Sequence, residues 1–453
     1  MKGVAALILA AGKGKRMKSS QPKVLHRILG KTLIERVVDT VEQLEPDKIV
    51  TIVGDLGDGV RDTLGSRVEY IVQKERLGTG HAVLEAKSAF NGYKGKLLVL
   101  YGDAPFLSAD TLRRLVEIHL ESGASGTILT TRPADAMARG RVLRDEQGNV
   151  TRVVEERDAS EHQKGIVEIN VGTYCFNPSE LFEALEQVKP DNDQNEYYLT
   201  DIVEILVKDG KRVESLRTDD PDETIGINSR AELAEAVRLC RDRNVARLMR
   251  DGVTVIDPRT CYVSDDVQIG RDSVVYPGTW IEGGTVIGER SVIGPYSVIV
   301  DCAVGDDTSI TMSHCVGAVI GSRVNVGPFA RVRPETHIGD GDRIGNFVEL
   351  KKAEIGTDTS VAHLTYLGDA LVGAGVNIGA GAVTANYDGV RKNRTVIEDG
   401  ARIGCSTVLV APVTIGKDAV TGAGAVVTRN NDVAPGQTVV GVPAKPLRKK
   451  KRK

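Results

Sequence analysis

Residues 320–350, IGSRVNVGPFARVRPETHIGDGDRIGNFVEL, carry an aliphatic side chain at every sixth position. Glycine directly follows several of these positions, which are Ile320, Val326, Val332, Ile338, Ile344 and Leu350. A six-residue period of aliphatic residues and glycine is typical of a parallel β-helix, in which each short strand points an aliphatic side chain inward and glycine relieves the backbone at the corners. We therefore predict a left-handed parallel β-helix of hexapeptide repeats.

The same period continues along the chain with one long interruption. After one-residue slips it runs on to Ile378, and beyond the gap it returns at Ile397, Ile403, Leu409, Ile415, Thr421 and Val427. The interruption covers residues 384–396. An insertion in a solenoid forms a loop, often on the binding face. We expect a β-helix domain at 252–446 and a functional loop at 384–396.

The composition agrees with this fold and excludes several classes of protein. The 453 residues include 49 glycines but only 4% aromatic residues, which fits an interior too narrow for rings. The formal net charge of −3 gives no general attraction to nucleic acid. No apolar run approaches the roughly 18 residues of a membrane span. We expect neither a nucleic-acid partner nor a membrane span.

Six cysteines are scattered through the chain without the spacing of a disulfide framework or a zinc site. They are Cys175, Cys240, Cys261, Cys302, Cys315 and Cys405. We expect a cytoplasmic protein with free thiols.

The first half alternates strand-like and helix-like segments. Short apolar runs such as VAALILA and KLLVLYG end in glycine or aspartate, and longer amphipathic runs such as TLIERVVDTVEQL lie between them. This alternation predicts an α/β domain over 1–228, Rossmann-like with a largely parallel sheet. In such sheets ligands bind beyond the carboxyl ends of the strands.

Two further segments complete the predicted organisation. Ser229 and Glu232 form a capping-box pattern, so we predict a helical linker at 229–251 that acts as a spacer; a helix packed on the first domain is the alternative. The basic tail at 447–453 is interpreted as a solvated terminus rather than a nucleic-acid or membrane site.

A glycine-rich turn follows the first predicted strand. Residues 9–17 read LAAGKGKRM, and PKVL follows at 22–25. Small residues let the backbone approach phosphate oxygens, and Arg16 and Lys23 add positive charge. Asp103 ends the strand KLLVLYG at the same sheet edge, where a carboxylate suits Mg²⁺. For Asp103 alone, a helix cap before Pro105 is the ordinary alternative.

These segments resemble the signature of the sugar-nucleotide pyrophosphorylases. The resemblance continues through Gln73, 77–81 (LGTGH), 101–103 (YGD), Gly140, 154–155 (VE), 168–170 (EIN), 196–201 (EYYLTD) and 226–228 (GIN). With the β-helix included, the chain from about residue 3 to the end of the repeats resembles the bacterial family of bifunctional N-acetylglucosamine-1-phosphate uridylyltransferases/glucosamine-1-phosphate N-acetyltransferases. This family makes UDP-N-acetylglucosamine for cell-wall (peptidoglycan) precursor synthesis.

For the first domain, the resemblance implies a nucleotidyltransferase. Arg16 and Lys23 would be catalytic, stabilising the triphosphate, and Asp103 with Asn228 would hold Mg²⁺. The residues implied to bind UTP and UDP-N-acetylglucosamine, among them Lys23 and Asn228 again, are Leu9, Ala10, Ala11, Gly12, Lys23, Gln73, Gly78, Thr79, Tyr101, Gly140, Glu155, Asn170 and Asn228. Lys15 departs from the small hydroxyl residue common in the family.

In the β-helix, several polar residues are candidates for acetyl transfer. A sugar ammonium must lose a proton before it attacks a thioester, and histidine readily accepts a proton near neutral pH. We take His363 as this base, with Glu349 as an orienting carboxylate. A backbone amide near Tyr387 is a candidate donor to the developing oxyanion.

The resemblance assigns the other residues of this second site. It implies binding of glucosamine-1-phosphate by Arg333, Lys351, Tyr366, Asn377 and Lys392. It implies acetyl-CoA contacts at Ala380, Asn386, Tyr387, Cys405 and Ala423, although Cys405 replaces the family's usual serine. It also implies a homotrimer.

Three functions remain open from the sequence. The preferred one is the bifunctional enzyme. A single-activity sugar-1-phosphate nucleotidylyltransferase with a structural, trimerising β-helix is the second, and a non-catalytic assembly subunit is the third. Asp103, Asn228 and Lys23 disfavour the third, and His363 with the 384–396 loop disfavours the second.

Overall fold

The computed structural model describes residues 1–12, 14–55, 57–133 and 139–447. Two compact units, Met1–Val237 and Arg238–Lys453, make up the chain. The division falls within the helical linker predicted at 229–251. Residues 448–453 of the predicted basic tail lie outside the described residues.

The first unit is built on one mixed sheet that is largely parallel, as predicted. In spatial order its strands are Val213–Arg217, Gly126–Thr131, Ile169–Phe176, Lys96–Tyr101, Val4–Leu9, Lys48–Val53 and Glu69–Val72. Only Ile169–Phe176 runs antiparallel to both of its neighbours on this path. The strands Arg141–Arg144 and Val150–Val154 extend the sheet beside it, and Arg27–Ile28 pairs with Lys31–Thr32.

Helices cover both faces of this sheet. The α-helices are Leu33–Glu42, Asp58–Leu64, Thr79–Glu85, Ala109–Ser122, Glu161–Lys164, Pro178–Leu185 and Asp201–Lys208, and short 3₁₀ turns are Lys15–Met17, Lys23–Leu25, Gly65–Arg67, Lys87–Phe90 and Pro221–Thr224. Along the first strand Ala5, Leu7 and Leu9 enter one apolar core and Val4, Ala6 and Ile8 the other. Burial on both faces explains why this strand is a continuous apolar run.

The second unit is the predicted β-helix, formed by three parallel sheets. The first contains 254–255, 274–275, 292–293, 309–310, 325–326, 343–346, 360–363, 377–378, 402–403, 420–421 and 438–440, with 445–446 added antiparallel. The second contains 262–263, 280–282, 298–300, 314–316, 331–332, 349–351, 366–368, 383–385, 408–410 and 426–427. The third contains 268–269, 286–287, 303–304, 318–320, 336–338, 354–355, 370–372, 395–397 and 413–415.

The six-residue period marks the interior of this β-helix. All the aliphatic residues of the opening stretch are buried and belong to one continuous apolar core. Large rings such as Trp280, Phe329 and Phe347 lie outside it and are exposed. The predicted interruption is also present, because Asn377 pairs with Arg402 across a coil enlarged by the loop.

The helix Arg230–Arg250 spans the division between the units. Its predicted start is confirmed, since Ser229 Oγ accepts from Glu232 N and the Glu232 carboxylate accepts from Ser229 N. Its second half belongs to the β-helix: Val245 and Leu248 enter that core, and Asn244 and Arg247 donate to main-chain carbonyls of the first coil. This half therefore packs against the first coil.

Asp342 is an ionisable residue inside the β-helix. Its side chain is fully buried, Oδ1 accepts from Thr359 N at 2.7 Å, and Oδ2 has no hydrogen-bond partner among the described residues. Burial raises the pKa of Asp342 from 3.8 to about 7. The folded chain therefore retains a proton that the unfolded chain has released between about pH 4 and pH 7.

We expect the stability of the β-helix to fall as pH rises through this window, by on the order of a few kcal/mol. Asp342→Asn should remove that loss, and the variant should exceed wild type in melting temperature at pH 8 by more than at pH 5. Calorimetry at both pH values measures this. Asp418→Asn, at an exposed corner, is the control and should keep the wild-type profile. Equal pH profiles for Asp342→Asn and wild type would contradict the prediction.

Candidate active sites

A cleft of about 630 Å³ opens at the carboxyl ends of the parallel strands in the first unit. The strands Val4–Leu9 and Lys96–Tyr101 both end at it, and the glycine-rich turn forms one wall. It is lined by the predicted nucleotide and metal residues Leu9, Ala10, Ala11, Gly12, Lys23, Gln73, Gly78, Thr79, Tyr101, Asp103 and Asn228. The structure thus brings together positions spread over more than 200 residues.

A second cavity of about 350 Å³ adjoins this cleft. It contains Gly140, Glu155 and Asn170, the residues predicted for the sugar, and also Arg16. Both cavities share the walls Thr79, Tyr101, Asp103, Glu196 and Asn228. The two cavities therefore adjoin through shared walls. We call them the nucleotide side and the sugar side after the ligands predicted for their residues, and Arg16 lies on the sugar side.

Lys23, Asp103 and Asn228 meet where the two cavities join. The Lys23 ammonium donates to Asn228 Oδ1 at 2.8 Å and to the Asp103 carboxylate, and the Lys23 and Asp103 side chains are mostly buried. Asp103 does not cap a helix, because the next α-helix begins at Ala109 and is capped by Ser108. Two oxygens that converge on one cation form a donor set that fits Mg²⁺, which commonly takes one or two protein ligands beside substrate phosphates.

Gly78 is required by the backbone of this site. Its φ is +118°, and a Cβ atom there would lie 2.5 Å from Tyr197 O. Gly80 N donates to Tyr197 O and Tyr197 N donates to Leu77 O, so the segment 77–80 is bound to the segment 196–201. The latter segment is structural, and Glu196 also lines both cavities.

Gly78→Ala should lower the stability of the first unit by about 1–3 kcal/mol, because alanine is strained at this φ and clashes with Tyr197. Gly12→Ala is the matched substitution, since a Cβ at Gly12 meets nothing within 4 Å. It should leave the melting temperature unchanged yet raise the KM for UTP, because the added methyl group fills space in the cleft. Calorimetry measures the change in stability and initial rates measure the change in KM. An unchanged melting temperature for Gly78→Ala would contradict the prediction.

Glu155 is one of three acidic residues that line the sugar side, with Asp103 and Glu196. Burial raises the pKa of Glu155, while a hydrogen bond from Thr200 Oγ1 at 3.0 Å partly opposes this effect. Burial, and next the charge of Glu155, raise the pKa of Asp201 to about 6. A carboxylate in so dry a position forms strong hydrogen bonds to hydroxyl or amide donors of a ligand.

Arg76 was missed from the sequence. It lines the nucleotide side of the cleft and an adjacent cavity of about 290 Å³, and its Nε is buried without a hydrogen-bond partner among the described residues. Arg76 follows the carboxyl end of the strand Glu69–Val72. The strand-end rule that selected Asp103 would have identified it.

A second candidate site lies along one corner of the β-helix. Successive coils place Asn346, His363, Ala380, Cys405 and Ala423 above one another, a set that we call the corner row. Backbone bonds connect its members: Leu364 N donates to Asn346 O, Gly381 N to His363 O, Ser406 N to Ala380 O and Gly424 N to Cys405 O. The predicted base and three predicted acetyl-CoA residues therefore share one edge.

His363 has a different partner from the one expected. Its Nδ1 lies 2.7 Å from Asn346 Oδ1, whereas Glu349 pairs with Arg333 at 3.0 Å. The expectation of Glu349 as the orienting group was wrong, because Asn346, and not Glu349, is aligned with His363 between parallel strands. With Nδ1 donating to Asn346, the neutral ring carries its lone pair on Nε2, where a general base needs it.

The residues predicted for the sugar phosphate lie mostly on the adjoining face. Lys351 lies 3.6 Å from Asp369, which also accepts from Asn386 Nδ2. The neighbouring Lys351 lowers the pKa of Lys392, so two ammonium groups lie side by side. Arg333 and Tyr366 lie on the same face, but Asn377 lies on the next one. Paired cations at one point favour an anionic ligand.

Three other features of the described residues concern cysteines, clusters of metal-ligand side chains and membrane-length helices. All six cysteines are free, five of them buried and Cys405 exposed. In the described ranges no three histidine, cysteine, aspartate or glutamate side chains cluster as metal ligands. Among the helices that the structure describes, none combines the length and apolar character needed to cross a bilayer.

Comparison with known proteins matches both units. Residues 6–203 match the family model of the MobA-like NTP transferase domain, and residues 394–429 match the bacterial transferase hexapeptide repeat. The bifunctional protein GlmU of Geobacillus sp. (strain WCH70) is 49% identical over 93% of this chain and 92% of its own length. That of Halalkalibacterium halodurans is 47% identical over 94% and 93%. A solved UDP-glucose pyrophosphorylase complexed with UDP-glucose aligns with 52% of this chain and 97% of its own, at a TM-score of 0.44 and 19% identity.

Proposed function

The chain belongs to the family of bifunctional GlmU proteins, and from this membership we propose that it synthesises UDP-N-acetylglucosamine in two successive transfers. The β-helix unit transfers an acetyl group from acetyl-CoA to glucosamine-1-phosphate. The first unit then transfers a uridylyl group from UTP to N-acetylglucosamine-1-phosphate and releases pyrophosphate. The product feeds cell-wall precursor synthesis.

In uridylyl transfer, a phosphate oxygen of the sugar phosphate attacks the α-phosphorus of UTP. The first unit acts by positioning and by charge, because phosphoryl-type transfer needs little covalent work from the protein. Gly12 and Gly78 admit the nucleotide, Glu155 and Asn170 orient the sugar, and Arg16 and Lys23 neutralise phosphate charge. Divalent-metal dependence is general in this family; we propose Mg²⁺, held by Asp103 and Asn228. Bound there, Mg²⁺ would offset the charge of the phosphates.

In acetyl transfer, His363 Nε2 accepts a proton from the sugar ammonium. The freed amine attacks the thioester carbonyl and the C–S bond breaks. The coenzyme A thiolate that leaves takes up the second proton, which the nitrogen loses as the amide forms. Lys351, Lys392 and Arg333 bind the 1-phosphate, and the main-chain amide near Tyr387 donates to the developing oxyanion.

The corner row is the observation that favours two activities over one. A β-helix serving only as a scaffold needs neither a histidine hydrogen-bonded through Nδ1 nor adjacent lysines beside it. In this chain both occur on neighbouring coils, next to the inserted loop. This arrangement supports the bifunctional enzyme over a nucleotidylyltransferase with a structural β-helix.

We propose a homotrimer in which the acetyl-transfer site lies between β-helices. A line of exposed apolar side chains begins on earlier coils and reaches the corner row at Phe347 and Leu364. Its members are Tyr296 (69% exposed), Phe329 (55%), Phe347 (55%) and Leu364 (62%). Such a line suits burial against another copy of the chain. The location of Asn377 on a separate face also fits, because a neighbouring copy would bring it to the sugar.

We place the enzyme in the cytoplasm, where its co-substrates acetyl-CoA and UTP are made and where free thiols persist.

The decisive experiment uses the purified full-length chain. With glucosamine-1-phosphate and acetyl-CoA, chromatography should show release of coenzyme A; with UTP, N-acetylglucosamine-1-phosphate and Mg²⁺, pyrophosphate should appear. Pyrophosphate without coenzyme A release would establish the single-activity alternative instead.

A further inference from the structure

The inserted loop is folded around a single carboxylate, that of Asp388. Asp388 Oδ1 accepts from Val390 N at 3.0 Å and from Arg391 N at 2.8 Å. Its other oxygen, Oδ2, accepts from Asn393 Nδ2 at 2.9 Å. Asn393 N donates to Asn386 O, and Tyr387 pairs with Lys392, so the loop closes into a small hairpin. Its shape therefore depends on Asp388.

A second contact fixes this hairpin to later coils. Arg429 Nη2 donates to Asp388 Oδ2 at 3.2 Å, and Arg429 Nε donates to Ala411 O at 3.1 Å. Arg429 follows the strand Val426–Val427, 41 positions beyond Asp388. One guanidinium thus connects the loop to a main-chain carbonyl of the β-helix.

This contact joins two opposite charges at a partly exposed position. The Asp388 side chain is 15% exposed and the Arg429 side chain is 42% exposed. Hydrogen bonds from Arg391 N, Asn393 and Val390 N hold the pKa of Asp388 well below its usual range, so the group is anionic at any working pH. Arg391 lies 4.0 Å from the same carboxylate but is 79% exposed. Solvent screening makes that second ion pair weak.

We propose that Asp388 and Arg429 are positioning residues for acetyl transfer, which hold Asn386, Tyr387 and Lys392 in the geometry that the reaction requires. The inference rests on the proposed function. Neither residue touches the substrates; both act through the loop. Asn386 Nδ2 bonds Asp369, the partner of Lys351, so a displaced hairpin would disturb the acetyl and phosphate contacts together.

The test compares Asp388→Asn and Arg429→Ala with Arg391→Ala in the full-length chain. Asp388→Asn can still accept from the two main-chain amides but loses the charged contact with Arg429. We expect kcat for acetyl transfer to fall about 10- to 100-fold in the first two variants, because small displacements of aligned groups have effects of this size. Uridylyl transfer and melting temperature should stay near wild type, and Arg391→Ala should differ by less than about twofold.

Two further measurements separate positioning from general stability. Arg429→Lys should recover part of the lost kcat, and the double variant should be no slower than the worse single variant, because both act through one contact. The inference would be overturned if Asp388→Asn and Arg429→Ala both transferred acetyl groups with the kcat of the wild type. So would a loss explained by a parallel fall in melting temperature. Absence of acetyl transfer in the wild type would instead overturn the proposed function.

Discussion

His363→Ala should reduce acetyl transfer about 100- to 10,000-fold while uridylyl transfer stays near wild type. The range is the usual contribution of a general base. Alanine cannot accept the proton of the sugar ammonium, and the neighbouring coils offer Ala380, which cannot replace it. The residues proposed for uridylyl transfer lie in a separate unit, so pyrophosphate release from UTP serves as an internal control.

His337→Ala is the matched variant for this experiment. His337 is an exposed histidine on the same β-helix, but it lies on a strand of the third sheet, away from the corner row. It should retain full acetyl transfer. Coenzyme A release at the wild-type rate by His363→Ala would exclude this histidine as the base. Asn346→Ala offers a graded comparison, since it removes the contact at Nδ1 and leaves the ring.

Asp103→Ala should produce the reverse result, with uridylyl transfer lowered about 100-fold or more and acetyl transfer unchanged. Asp103 is the carboxylate in the group formed with Lys23 and Asn228. Removing it takes away a proposed metal ligand and the carboxylate partner that Lys23 contacts. Loss of charge stabilisation at a transferring phosphoryl group is commonly of this size.

The measurement is pyrophosphate release at several Mg²⁺ concentrations. Asp110→Ala is the control, because Asp110 is an exposed aspartate on the following helix, paired only with its helical neighbour Arg113 in the described contacts. A partial rise of the Asp103→Ala rate at high Mg²⁺ would agree with a weakened metal site. A rate equal to wild type at all concentrations would remove Asp103 from the site.

The candidate site of the first unit was predictable from the sequence because its residues follow the carboxyl ends of parallel strands. The turn after Leu9 and the aspartate after the strand Lys96–Tyr101 share one sheet edge, as the parallel topology requires. Arg76 obeys the same rule and was overlooked only because no motif marked it. The position of Arg16 was harder to predict, because the order of residues along the chain does not show which of two adjoining cavities a long side chain enters.

In the β-helix, the six-residue period predicts which side chains are buried but not which exposed side chains contact one another. The six-residue period identified the buried positions and the interruption, because inward-pointing side chains must be aliphatic. Contacts between outward side chains depend on register between coils, and single-residue slips shift that register. Asn346 therefore meets His363 while Glu349, which lies closer to Arg333 across coils, does not.

The departures noted in the sequence occupy informative places. Lys15 lines the nucleotide cleft, so it adds a cation where a small hydroxyl residue is common in the family. Cys405 lies exposed in the corner row, between Ala380 and Ala423.

The second half of the helix Arg230–Arg250 bears on how this chain can be divided. A stacked β-helix has two open ends, and an uncovered end presents unpaired strand edges that other chains can extend into fibres. Here Asn244 and Arg247 of the helix donate hydrogen bonds to main-chain carbonyls of the first coil. Val245 and Leu248 of the same helix pack into the aliphatic core of the β-helix. A fragment that begins at residue 238 keeps this half of the helix, and we expect it not to polymerise. A fragment that begins at residue 252 lacks the helix, and we expect it to polymerise end to end.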